Sequence, residues 1–183
     1  ASATTRVHTL ADELPVAPGS NDFKGYHYPQ ELAVCGIAGY ARTRSSTSPL
    51  EPREVLLRMT AAITHRGPDA FGHFFNDHVA LGHRRLSIID LSGGVQPMSR
   101  EDLGLTVIFN GEIYNYLDLN EQLAAHGLHP RTRCDTETIL LAYAHWGDAC
   151  VEHFNGMFAF VIYDHRNRRL FGARDRMGKK PLY

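Results

Sequence analysis

The order of apolar segments predicts an α+β fold in which two antiparallel sheets are flanked by helices. Residues 71–75 and 79–82 are apolar stretches split by Asn76-Asp77-His78, and they read as a strand pair. Residues 158–163 and 170–174, split by the polar turn at 164–169, read as a second pair. Between them, residues 117–125 and a stretch from Asp135 to near Gly147 carry apolar residues at helical spacing. Strand pairs, helices and strand pairs again is an α+β order, not an alternating βαβ one.

Each element follows from its own residues. Positions 1–34 hold Pro15, Pro18, Gly19, Gly25 and Pro29 with no sustained period. They are expected to be a leader, a propeptide, a linker or a mis-called upstream segment, disordered and outside the domain at 35–183. Val34-Cys35-Gly36-Ile37-Ala38-Gly39-Tyr40 reads as a short strand packed closely by its glycines. A thiol at its head fits either a small buried cysteine or an N-terminal nucleophile, whose own α-amine serves as base. Residues 42–48 form a Ser/Thr-rich turn. Val55, Leu56, Met59, Ala62 and Ile63 then mark a helix behind Pro52, which suits a first turn. It ends at His65-Arg66-Gly67-Pro68-Asp69. In Gly82-His83-Arg84-Arg85-Leu86-Ser87-Ile88-Ile89-Asp90, one arginine could bind a carboxylate with its planar fork, or both could line a solvated edge. Residues 93–97 are a loop.

Residues 105–109 are a buried strand that runs into Asn110-Gly111-Glu112-Ile113-Tyr114-Asn115. Asn-Gly is a strong hairpin signal. The alternative is an oxyanion hole, with the Asn110 amide and the Gly111 N–H as paired donors. Gly127 closes the first central helix. Asp135-Thr136-Glu137 opens the second, where Asp135 is either the N-cap or the partner of a substrate ammonium. Residues 151–154 read as a short helical piece.

Composition narrows the function classes. A hydrophobic content of 43% supports a real core, and a net charge of −1 gives no electrostatic case for nucleic acid or a membrane surface. Eleven histidines are scattered without a metal-binding spacing. Cys35, Cys134 and Cys150 form neither an even framework nor a Cys-x-x-Cys pair, which favours a reducing compartment. No apolar run reaches membrane length.

Seven stretches together resemble the glutaminase domain of the class II glutamine amidotransferases, which are N-terminal-nucleophile hydrolases. They are Cys35-Gly-Ile-Ala-Gly, His65-Arg-Gly-Pro-Asp69, His83-Arg-Arg-Leu-Ser-Ile-Ile-Asp90 with Gln96-Pro97, Phe109-Asn-Gly-Glu-Ile-Tyr-Asn115, Asp135-Thr-Glu137, Gly156-Met-Phe-Ala-Phe160 and Arg174-Asp-Arg-Met-Gly178. Within that class the chain is most similar to asparagine synthetases. The resemblance implies a four-layer αββα sandwich whose last strands lie beyond Tyr183. It also implies roles. Cys35 attacks the glutamine side-chain amide, and Asn110 and Gly111 stabilise the oxyanion. Arg85 pairs with the substrate carboxylate. Asp135 and the Gly111 or Glu112 backbone hold its ammonium, and the Ile88 backbone lines the pocket. No cofactor or metal is implied for this segment. L-glutamine is the implied substrate, and the implied partner is a C-terminal synthetase domain that uses aspartate, ATP and magnesium. The implied setting is cytoplasmic, with a homodimer left open.

One departure from the pattern stands out. An internal Cys35 has an amide nitrogen, which cannot act as a base, so the family chemistry requires Cys35 to become the first residue. Val34 as a re-read start codon, removal of a propeptide and an uncleaved inactive chain are the three explanations. Three other functions compete with the asparagine synthetase reading. These are an amidotransferase with a different ammonia acceptor, a non-catalytic binding domain, and a Cys-His hydrolase pairing Cys35 with His65 or His83.

Overall fold

Strand alternation sets the layering of the molecule, which the computed structural model describes over residues 35–42, 51–86 and 94–183. The first sheet contains β1 (Gly36–Ala41), β2 (Ala70–Phe75) and β3 (Val79–Arg85), in the order β1-β3-β2. The second contains β4 (Met98–Arg100), β5 (Leu105–Ile113), β6 (Gly156–Asp164) and β7 (Arg169–Arg174), in sequence order. Every strand pair is antiparallel. Along β5, Leu105, Val107 and Phe109 turn to one side, and along β6 so do Phe158, Phe160 and Ile162. There they meet Leu119 and Leu123 of α2 (Tyr116–Ala124) and Ile139, Leu140 and Tyr143 of α3 (Asp135–Trp146). The alternate residues, Ile108 and Tyr163, turn to the first sheet and pack on Val79 and Leu81. That period of two is what a sheet buried on both faces requires. On the outer face of the first sheet lies α1 (Pro52–Ala62), whose Thr60 hydroxyl lies 2.9 Å from Nε2 of His73 on β2. The result is helix, sheet, sheet and helices, the four-layer arrangement expected above.

Three local readings are corrected. The Asn110-Gly111 turn signal does not make a hairpin. β5 runs through it to Ile113 in unbroken register with β6, pairing Asn110 with Ala159 and Gly111 with Phe158. Gly111 permits this at φ +150°, where a side chain's Cβ would stand 2.1 Å from the Met157 carbonyl oxygen. The expected helical piece at 151–154 lies earlier, as a 3₁₀ turn over Gly147–Glu152. Asp135 is the first helical residue of α3, and the cap position belongs to Cys134, which makes no side-chain capping bond. The residues at 43–48 of the expected Ser/Thr turn lie outside the described residues.

Candidate functional site

Six of the seven residues singled out from the sequence line one cleft of about 470 Å³: Cys35, Arg85, Asn110, Gly111, Glu112 and Asp135. The seventh, Ile88, lies outside the described residues. The fold accounts for each position. Cys35 stands at the head of β1, and Arg66, in the 3₁₀ turn after α1 (Thr64–Arg66), donates from Nε to its carbonyl oxygen at 3.5 Å. β3 is the central strand of its sheet, so Arg84 and Arg85 point to opposite faces. Arg84 reaches back to α1, donating to the Thr60 carbonyl at 2.9 Å and lying 5.0 Å over the Phe71 ring. Arg85 faces the cleft. The His65–Asp69 turn braces that pair. A Cβ on Gly67 would meet the Arg84–Arg85 peptide at 2.5–2.6 Å, and the Asp69 N–H donates to the Arg85 carbonyl at 3.1 Å. Only a residue without a side chain allows that approach.

On the opposite wall, Gln96 and Asp135 terminate the backbone bonding of β5. Extending the β4–β5 register two residues past its last pair, Met98 with Val107, places Gln96 opposite Phe109. Its side-chain oxygen accepts from the Phe109 N–H at 2.6 Å, continuing the ladder past the end of β4 and fixing the strand just before Asn110. The Asp135 carboxylate accepts from the Ile113 N–H at 2.9 Å. Burial pushes that carboxyl above the ordinary range, partly offset by the Ile113 bond. A cation arriving beside it would oppose that shift. Cys134, next to it on the cleft wall, is also pushed up by burial, which keeps its sulfur a thiol.

Neither histidine of the Cys-His alternative lines the cleft. His65 is exposed on the 3₁₀ turn, and His83 is buried between the sheets. Lys180 and Gln96 line the cleft, and sequence reasoning gave neither a site role. Gln96 carried a signal, being part of a recognised motif. Lys180 carried none, since its burial depends on a turn that Asp175 builds. Among the described residues, no group of three or more His, Cys, Asp or Glu is arranged to hold a metal ion, and no helix is long and apolar enough to cross a membrane.

Comparison with known proteins gives a family match. The sequence matches the glutamine amidotransferase domain over residues 34–183. It is 44% identical over 150 residues to glutamine-hydrolyzing asparagine synthetase 1 of Bacillus subtilis (strain 168), covering 82% of this chain and 24% of that protein. It is 40% identical over 152 residues to asparagine synthetase 3 of the same organism, again covering 82% and 24%. The chain thus spans about a quarter of the length of these relatives. Among solved structures, glutamine phosphoribosylpyrophosphate amidotransferase from B. subtilis superposes with a TM-score of 0.53 at 20% identity, covering 72% of this chain and 35% of that one. That likeness concerns the fold alone, and it agrees with the N-terminal-nucleophile hydrolase architecture expected from the motifs.

Proposed function

Because the chain belongs to the glutamine amidotransferase domain family, we propose that it is the glutaminase part of an asparagine synthetase, releasing ammonia from glutamine through a Cys35 thioester. The observation that carries the reading is the shared cleft of Cys35, Asn110, Gly111, Arg85 and Asp135. Free glutamine is a zwitterion with an amide at its far end. Its recognition needs a cation, an anion and a nucleophile facing one space. Arg85 supplies a planar fork for the carboxylate. Asp135 supplies the anion for the ammonium, whose positive charge would offset the effect of burial that raises its carboxyl. Glu112, next to Gly111 on β5, offers its backbone to the same ammonium.

The chemistry then follows from the ends of two strands. The Cys35 sulfur attacks the side-chain carbonyl carbon, and its proton passes to the Cys35 α-amine. An α-amine with a reference pKa of about 8 is partly unprotonated near neutrality, as a general base must be. The negative oxygen that forms is met by the Asn110 side-chain amide and the Gly111 N–H. The amine returns the proton to the departing nitrogen, and ammonia leaves. Water attacks the thioester, giving glutamate and restoring the thiol. In this proposal the ammonia goes to aspartate in a separate synthetase domain, where ATP and magnesium act. The setting is the cytoplasm, where Cys35, Cys134 and Cys150 stay reduced, and all three are free here.

The test is glutamine hydrolysis by the protein expressed from its own gene, with intact mass to define its first residue. The expected result is a chain that begins at Cys35, releases glutamate and ammonia in equal amounts, and becomes inactive as Cys35→Ala. Full activity in a chain that retains Val34, or in Cys35→Ala, would overturn the mechanism. Formation of asparagine from aspartate, ATP and glutamine by the same protein tests the acceptor.

A further inference from the structure

We propose that Lys180 is a positioning residue for Cys35, its ammonium in the shared cleft keeping the Cys35 α-amine unprotonated and favouring the thiolate. The inference rests on the glutaminase reading above. It begins with burial. Lys180 is only 9% exposed, and lysine is seldom that buried without a partner. Among the described residues, no carboxylate forms an ion pair with it.

The position is built. Asp175 is itself buried, and its carboxylate accepts from the Lys179 and Lys180 N–H groups, each at 2.9 Å, and from the Phe158 N–H at 3.2 Å. The Asp175 N–H donates to the Phe158 carbonyl at 2.7 Å. Phe158 is the residue opposite Gly111. Lys180 is therefore anchored, through one carboxylate, to the strand pair that carries the proposed oxyanion donors. Its side chain lines the cleft with Cys35.

The charged groups around it come from every neighbouring element. Cys35 at the head of β1, Arg66 in the turn after α1, Glu112 on β5 and Asp175 in its own turn all lie within electrostatic reach of it, and Cys35 and Glu112 share its cleft. Burial, then Arg66, lowers the lysine's affinity for its proton, while Cys35, Asp175 and Glu112 raise it. Asp175 already accepts three backbone bonds, and Glu112 is exposed. Of these groups, Cys35 is the one that must change charge in the reaction. A cation beside it disfavours the α-ammonium and favours the thiolate. Both effects extend the reactive state to lower pH.

The test uses the active protein as wild type, Lys180→Met, Lys180→Gln and Lys180→Arg. Two pH profiles are measured: kcat/KM for glutamine hydrolysis, and the rate of Cys35 alkylation by iodoacetamide in the absence of glutamine. In the neutral variants, the acid limb of both profiles is expected to move up by about one pH unit, a tenfold loss at the acid end. The rates should converge with wild type at high pH, and Lys180→Arg should restore the wild-type limb. An unmoved acid limb in the folded neutral variants would overturn the inference, as would an equal loss at every pH. A wild type that hydrolyses no glutamine would sink the glutaminase reading instead, while the alkylation profile would still decide the role of Lys180.

Discussion

Asn110 is buried, yet it lines the cleft, a combination available to only a few positions on β5. Replacing it with alanine removes one of the two proposed oxyanion donors without touching the backbone ladder to Ala159. Asn110→Ala is expected to lower kcat for glutamine hydrolysis by about 100- to 1,000-fold with a small change in KM. Steady-state assays check this, and a loss confined to KM would place Asn110 in ground-state binding instead. The local signal at this residue was misleading as to structure. Asn-Gly favours a turn in isolation, but nine pairings with β6 hold the segment extended. Cys35, Arg85 and Asp135 were open on residue type alone and were singled out by the family resemblance, and the fold brings the three to one cleft. Lys180 was not, because side-chain burial at the end of a turn is a product of tertiary contacts.

The N-terminus of α3 shows how an element is held in place for a neighbour's benefit. Glu137 is 1% exposed and ties together three segments. It accepts from Arg100 Nη1 at 2.7 Å, from the Arg131 and Thr132 N–H groups at 2.9 and 2.6 Å, and from the Thr132 hydroxyl at 2.7 Å. Those bonds hold its carboxyl below the ordinary range against the opposing effect of burial. They also fix the 131–134 approach to Asp135. Glu137→Ala would leave a buried guanidinium without one partner and two backbone donors without an acceptor. The expected cost is about 3–5 kcal/mol, read as a lowered urea midpoint, together with a raised KM for glutamine as Asp135 loses its seat. An unchanged midpoint would mean that Asp102, which contacts Arg100 at 2.8 Å, suffices alone. The motif Asp135-Thr136-Glu137 was visible in the sequence, but this division of labour was not, since Arg100 lies on β4. That strand has three residues, too few for periodicity to reveal it.

At the scale of the whole molecule, the two sheets meet around a buried imidazole. His83 is 1% exposed, stands opposite Ile37 on β1, and has neither ring nitrogen in hydrogen-bond geometry among the described residues. Burial lowers its pKa to about 4, with Arg85 adding to the effect and the nearby Phe109 backbone offsetting part of it. In the unfolded chain the same imidazole titrates near about 6.5. Between those two values the unfolded state binds a proton that the folded state refuses, so stability falls as pH falls through the window and is fully present above it. The contribution is about 3 kcal/mol across the window. Urea unfolding at pH 7 and pH 4.5 should show wild type losing more stability than His83→Leu, in which the titration is gone. Parallel losses would mean that His83 does not take up a proton on unfolding in this range. The consequence reaches the candidate site, because β1 carries Cys35 at its head and pairs with β3 through His83 itself. Two separable origins are therefore expected for any loss of glutamine hydrolysis in mild acid. A limb that moves in Lys180→Met with the urea midpoint unchanged belongs to the Cys35 centre. A limb that moves in His83→Leu together with the midpoint belongs to the opening of the sandwich.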